Sequence, residues 1–216
     1  MRLMSDQTNL PHLNALEIRV LGCLMEKQLL TPDVYPLTTN ALQSAANQKT
    51  SREPVMTLEP GDISRTLKLL EEKGLVRRMM ASRTDRYEQM ASRKFNLTTP
   101  QSALMAMLLL RGPQTLNELQ TRTDRMANFG DADAVRIELD MLIGKRPALV
   151  KEIGRAPSQR EDRYAHLLAG DVDVSSISVA PRTVSGSSAV AELEERVRML
   201  EEEVAALKAR LDAAGG

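Results

Sequence analysis

Leu75-Val76-Arg77-Arg78-Met79-Met80-Ala81-Ser82-Arg83-Thr84-Asp85-Arg86-Tyr87-Glu88-Gln89-Met90 is the stretch on which the fold turns. Two short runs, Leu75 to Met80 and Arg86 to Met90, flank a polar turn, which is the pattern of a β-hairpin. Three helices precede it. Asn14 with Glu17 three residues on is a capping box, followed by Leu16, Val20, Leu21, Leu24 and Met25 at helical spacing. Pro32 and Pro36 interrupt that helix. A second short helix begins near Thr38 and carries Ala41, Leu42, Ala45 and Ala46. Gln48 to Glu59 is polar, broken by Pro54, and reads as a loop. Pro60 suits the first turn of a third helix with Ile63, Leu67 and Leu70 inward and Gly74 as its stop. Three helices and then a hairpin is the order of a winged helix, ending near Leu97.

The pattern then repeats. Thr99-Pro100 opens an apolar helix through Leu110, stopped by Gly112-Pro113. Thr115 with Glu118 caps a short helix, and Asp131 or Asp133 starts a third one bearing Val135, Leu139 and Leu142. Leu149 to Leu168 supplies two strands around a polar turn. Leu37-Thr38-Thr39-Asn40-Ala41-Leu42-Gln43 parallels Gln114-Thr115-Leu116-Asn117-Glu118-Leu119-Gln120, and Asp85-Arg86-Tyr87 parallels Asp162-Arg163-Tyr164. These echoes indicate duplication.

Residues 169–188 read as a linker, with six Ser, two Gly and one Pro. Val172, Val174, Ile177 and Val179 could lay part of it against the second module. Beyond it, Val190, Leu193, Val197, Leu200, Val204, Leu207 and Leu211 form a heptad seam with Val at a and Leu at d. That choice favours a parallel two-stranded coil, in which Arg196 faces Glu201 and Glu203 faces Lys208 across the pair. The expected fold is therefore mainly α with small β-hairpins: two tandem winged-helix (helix-turn-helix) domains plus a C-terminal coiled-coil helix. Its expected divisions are a flexible N-terminus at 1–12, domains at 13–97 and 98–168, the linker at 169–188 and the coil at 189–214.

Composition agrees. The chain has 216 residues, 42% of them hydrophobic, with two Phe, three Tyr, no Trp and twelve Met. A core filled by Leu and Met suits packed helices better than a β-sandwich. The net charge is zero, but by region it is +3 for residues 1–99, +1 for 100–168 and −4 for 169–216. The acidic tail thus hides a mildly basic first module.

That excess lies where a DNA-binding winged helix needs it. Lys49, Thr50, Ser51 and Arg52 in the loop before the third helix are competent phosphate donors. Ser64, Arg65 and Lys68 occupy the third helix opposite its apolar face, placed to enter a major groove. Arg83, at the hairpin tip, could reach a minor groove or the backbone. The third helix of the second module, with Asp131, Asp133, Glu138 and Asp140, would repel phosphate. It suits packing on a partner or on the other subunit.

Chemistry is sparse. Cys23, the single cysteine, follows Leu21 on the apolar side of the first helix and reads as a buried structural thiol. His12 and His166 lie in different modules without a second ligand at metal spacing, and read as ordinary surface or hairpin residues. Gln48-Lys49-Thr50-Ser51 lacks the glycines and the preceding strand of a phosphate loop. No metal, cofactor or enzymatic activity is expected. The longest apolar run, Ala103 to Leu110, is too short to span a bilayer. No signal-peptide pattern opens the chain, so a cytoplasmic protein is expected.

The runs Leu13-Asn14-Ala15-Leu16-Glu17-Ile18-Arg19-Val20-Leu21-Gly22, Tyr35-Pro36-Leu37-Thr38-Thr39-Asn40-Ala41-Leu42 and Asn47-Gln48-Lys49-Thr50-Ser51-Arg52-Glu53-Pro54-Val55-Met56 resemble the bacterial YceH family. The resemblance spans roughly residues 10–170. It implies two tandem winged helices and no particular chemistry. The expectation is a dimeric protein that binds duplex DNA through its first module, in the manner of a transcriptional regulator. The alternative is a protein–protein interaction scaffold that binds no nucleic acid.

Overall fold

A computed structural model describes residues 10–80, 84–154 and 161–171. They belong to one compact unit, Met1–Ser176, while a second unit, Ile177–Gly216, lies outside the described residues. The expected linker from residue 172 onward and the heptad seam Val190 to Leu211 therefore lie outside them too, as does Arg83.

The fold is mostly helical with small antiparallel sheets, and seven helices are found among the described residues. The first half runs α1 (Ala15–Leu30), β1 (Leu37–Thr38), α2 (Thr39–Ala46), α3 (Pro60–Glu72), β2 (Val76–Met79), β3 (Arg86–Gln89) and α4 (Ala91–Lys94). The second runs α5 (Thr99–Arg111), α6 (Leu116–Thr123), α7 (Ala132–Gly144), β4 (Val150–Ile153) and β5 (Arg163–His166).

Local chemistry sets these boundaries. The Asn14 side chain accepts from the Leu16 and Glu17 amides, and the Glu17 carboxylate accepts in turn from the Asn14 N–H. Thr98 with Gln101 and Thr115 with Glu118 cap α5 and α6 in the same reciprocal way. Asp131 caps α7 through the Ala134 amide. Gly74 and Gly112 end their helices at positive φ, which glycine adopts without strain.

The first sheet has the order β1-β3-β2, with Leu37 opposite Tyr87 and Arg78 opposite Tyr87 on the other side. The second helix begins beside Thr38 as expected, and a short strand not foreseen in the sequence precedes it: Leu37–Thr38 pairs with β3 before Thr38 turns to cap α2. The second half repeats the arrangement in reduced form. There, β4 pairs with β5, and a single bridge joins Gln114 to Tyr164. The Leu37–Tyr87 and Gln114–Tyr164 pairs have the same sequence separation, so the internal echoes occupy equivalent places in the fold.

The two halves share one core. Helix α1 is buried along nearly its whole middle, from Glu17 to Glu26 apart from Ile18, and α5 from Gln101 to Leu110. A helix buried on all sides has neighbours on all sides. Each packs within its own half and against the other, and Gly22 marks the closest approach: a Cβ there would lie 2.9 Å from Leu110 Cγ. The Leu13 N–H also donates to Leu168 O at 2.7 Å, tying the start of the first half to the end of the second. The expected divisions 13–97 and 98–168 thus form parts of one compact body. Among the described residues, no helix is long and apolar enough to cross a membrane.

Candidate nucleic-acid interface

The loop between α2 and α3 is held by side chains at both ends. Asn47 accepts from the Leu58 amide at 2.8 Å and donates to its carbonyl at 3.0 Å, and Gln43 donates to the same carbonyl. The middle of the loop is fixed from beneath. The guanidinium of Arg52 forms a bidentate pair with Glu26 of α1, at 2.6 Å and 3.0 Å, and also donates to Ala45 O and Ser51 O. Its side chain is fully buried. Burial would lower its pKa, but the hydrogen bonds to Glu26 and its charge raise it overall.

This corrects the placement of Arg52 as a phosphate donor. A buried, bidentate guanidinium cannot reach a DNA backbone without leaving Glu26 uncompensated in the core. Its role is to hold the loop so that Lys49, Thr50 and Ser51 stand at the surface, with Ser51 at φ 59°.

Arg19, also buried, does related work. It donates to Ala46 O at 3.2 Å and to Pro54 O, while its Nε has no hydrogen-bond partner. Burial lowers its pKa. From the other side, the Glu53 N–H donates to Leu110 O at 2.9 Å, joining the loop to α5. Sequence reasoning missed Arg19 and Glu26 as structural groups. The available signal was their spacing: Arg19, Cys23 and Glu26 follow at intervals of four and three on a helix whose face is otherwise apolar. Cys23 is buried as expected, and burial pushes its thiol up to about 11.

Along α3, Ile63, Leu67 and Leu70 face the core while Ser64, Arg65 and Lys68 are exposed, as the periodicity predicted. The surface is not uniformly basic. Asp62 accepts from Arg65 at 2.6 Å, and that hydrogen bond holds its carboxyl below the usual range. On the hairpin, Arg77 pairs with Glu88, and Arg78 pairs with Asp85 at 2.6 Å. Arg86 donates to Pro36 O at 2.7 Å. The exposed cations without an ion pair among the described residues include Lys49 and Lys68. The structure thus brings six of the eight candidates to the surface, buries Arg52 and leaves Arg83 outside the described residues.

His12 is exposed, and His166 lies in the hairpin strand β5, where it is buried. Its Nδ1 has no hydrogen-bond partner, and burial pulls its pKa down to about 4. A cavity of about 570 Å³ lies beside Leu10, His12, Pro147 and Leu167, with the Lys151–Asp171 ion pair on its wall. Among the described residues no group of three or more His, Cys, Asp or Glu could hold a metal ion.

The span that builds this surface also carries the relationship to other proteins. A family described as "Protein of unknown function, DUF480" matches residues 13–159. The chain belongs to the DUF480 family. The UPF0502 protein mll4256 of Mesorhizobium japonicum is 60% identical over 208 residues, covering 96% of this chain and 99% of the relative. A UPF0502 protein of Xanthomonas campestris pv. campestris is 49% identical, over 98% of this chain and all of the relative. One from Stenotrophomonas maltophilia is 48% identical, over 96% and 98%. In this DUF480 protein, the matched span includes both buried arginines, the loop they hold and all of α3.

Proposed function

We propose that the protein binds duplex DNA through its first half, a winged helix with α3 in the major groove and β2–β3 as the wing. The observation that carries the proposal is the shared exposure of Ser64, Arg65 and Lys68 on α3 with Lys49, Thr50 and Ser51 on a rigidly held loop. The order α1-β1-α2-α3-β2-β3 with sheet order β1-β3-β2, and its partial repetition from α5 to β5, support tandem winged helices of the YceH kind. The protein would act in the cytoplasm as a regulator, dimeric through a parallel coil at 189–214, with no catalytic step.

Phosphate contact is tested by duplex binding as a function of salt, with Lys49→Ala, Arg65→Ala and Lys68→Ala combined. The variant binds more weakly, and its log–log salt slope falls by about 0.9 for each phosphate it no longer neutralises. Unchanged binding, or no binding by the wild type at low salt, overturns the proposal. That result favours a protein-interaction scaffold, for which the specific observation is the acidic, partly apolar surface of α7.

A further inference from the structure

Arg111 ends α5 with its side chain half-buried. Its Nε is buried without a hydrogen-bond partner, and among the described residues no ion pair meets the guanidinium. A buried arginine normally recovers the cost of leaving water from a carboxylate. This one does not. Two other segments meet beside it. The Glu53 N–H donates to Leu110 O at 2.9 Å, so the loop that carries Lys49, Thr50 and Ser51 passes directly along the end of α5. On the other side, Gln114 donates to Met107 O at 2.9 Å and accepts from Arg122 Nη1 of α6 at 2.6 Å. Gln114 thus draws a second guanidinium toward the last turn of α5. Burial lowers the pKa of Arg111, and the like charge of Arg122 lowers it further. The acids nearby do not close the gap. Glu53 favours the Arg111 charge without forming an ion pair with it among the described residues. Glu118 lies 3.7 Å from Arg122, too far for a hydrogen bond, and also serves Arg163 at 3.3 Å.

We propose that Arg111 and Arg122 together hold a phosphate of the DNA backbone, carrying the bound duplex from the loop of the first half onto the second. The inference rests on the reading that the protein binds duplex DNA. Two adjacent guanidiniums offer planar forks of donors, which match the oxygens of a phosphate and reverse the repulsion between them. Both side chains are partly exposed, so a strand of backbone can reach them. A backbone phosphate is preferred to a free one because the pair continues the line of exposed donors: Glu53, beside Arg111, follows Ser51 by two residues. The second half therefore contributes through the junction of α5 and α6, and its acidic third helix faces elsewhere.

The test compares full-length Arg111→Gln, Arg122→Gln protein with the Lys49→Ala, Arg65→Ala, Lys68→Ala variant. The arginine variant binds a duplex about ten-fold more weakly at fixed low salt, and its log–log salt slope falls by about 0.9, the loss of one phosphate. In the wild-type protein, the Nε–Hε magnetic resonance signals of Arg111 and Arg122 shift when duplex is added, which reads the site without relying on the stability of a variant. Inorganic phosphate separates the two sources of the anion. Signals that shift with inorganic phosphate and not with duplex mark a free-anion site and overturn the inference. An unchanged affinity and slope with unmoved signals also overturns it, and leaves the first-half reading standing if the lysine-containing variant is weakened. Weakening by the arginine variant alone upholds the arginine site and overturns the first-half reading. A wild type that binds no duplex at low salt overturns both.

Discussion

The two halves of this protein hold and present their third helices in different ways. Before α3, thirteen residues (47–59) form a polar loop pinned by Arg52 to Glu26, by Arg19 to two backbone carbonyls and by Asn47 to Leu58. Before α7, eight residues (124–131) suffice, and the buried anchors are apolar: Met126, Ala127 and Phe129. The exposed faces differ as well. Helix α3 presents Ser64, Arg65 and Lys68, whereas α7 presents Ile137 and Met141 with Asp133 and Asp140 exposed nearby. A shared arrangement of elements has thus been given two surfaces. The longer loop, with its ionic anchor, is what lifts Lys49, Thr50 and Ser51 into solvent beside the more basic helix.

The largest expected effect breaks the ionic anchor. Glu26→Gln leaves the Arg52 guanidinium buried without a counter-charge, and should cost about 3–5 kcal/mol of unfolding free energy in urea. Converting the anchor to the apolar kind, with Glu26→Leu and Arg52→Met together, recovers at least half of that loss. A single variant within about 1 kcal/mol of wild type, well below the cost of a broken buried pair, would show that the first half does not depend on its ion pair.

Next in size is the buried histidine of the second half. His166 titrates near 4 when folded, below the ordinary value of 6.5. The neutral form is therefore favoured by folding. Above pH 6.5 neither state binds the proton, and there is no penalty. As pH falls from 6.5 toward 4 the unfolded chain takes up a proton that the native one refuses. The loss approaches roughly 3 kcal/mol near the lower limit. His166→Leu should remove this component, so its urea midpoint falls less between neutral and acid pH than that of the wild type. Parallel curves for the two proteins would remove His166 as the acid-sensitive group of the second half.

The smallest of these effects concerns the packing that joins the halves. Gly22→Ala brings a Cβ to 2.9 Å from Leu110 Cγ and 3.1 Å from Leu109 Cβ. Repacking the α1–α5 crossing costs about 1–3 kcal/mol. With one shared core, the loss lowers a single unfolding transition seen by both halves. Two separated transitions would mean that the halves are less coupled than their packing indicates.

Much of this architecture is legible in the sequence because it is written in short-range chemistry. Asn14 with Glu17, Thr115 with Glu118, and Asp131 cap helices through bonds between residues three apart, so spacing alone reveals them. Outward positions on α3 are legible for the same reason, since Ile63, Leu67 and Leu70 leave only one face for Ser64, Arg65 and Lys68. Strand β1 is not: Leu37 and Thr38 are extended because β3 lies beside them, and two residues leave no periodic signature. Arg52 escapes a local reading for a related reason. An arginine in a polar loop is normally solvated, and only the position of Glu26, a distant residue on α1, makes burial possible.

By itself the amino-acid sequence determined the helices, the hairpins and the internal duplication, because caps, periodicity and turn residues act over a few positions. Tertiary structure alone decided that α1 and α5 share a core, that Arg19 and Arg52 lie inside it, and that His166 is buried without a partner for Nδ1. It also decided which exposed side chains stand together, on the first half's loop and α3 and on α7. Burial and charge pairing depend on what the distant chain brings alongside, and no local pattern contains that information.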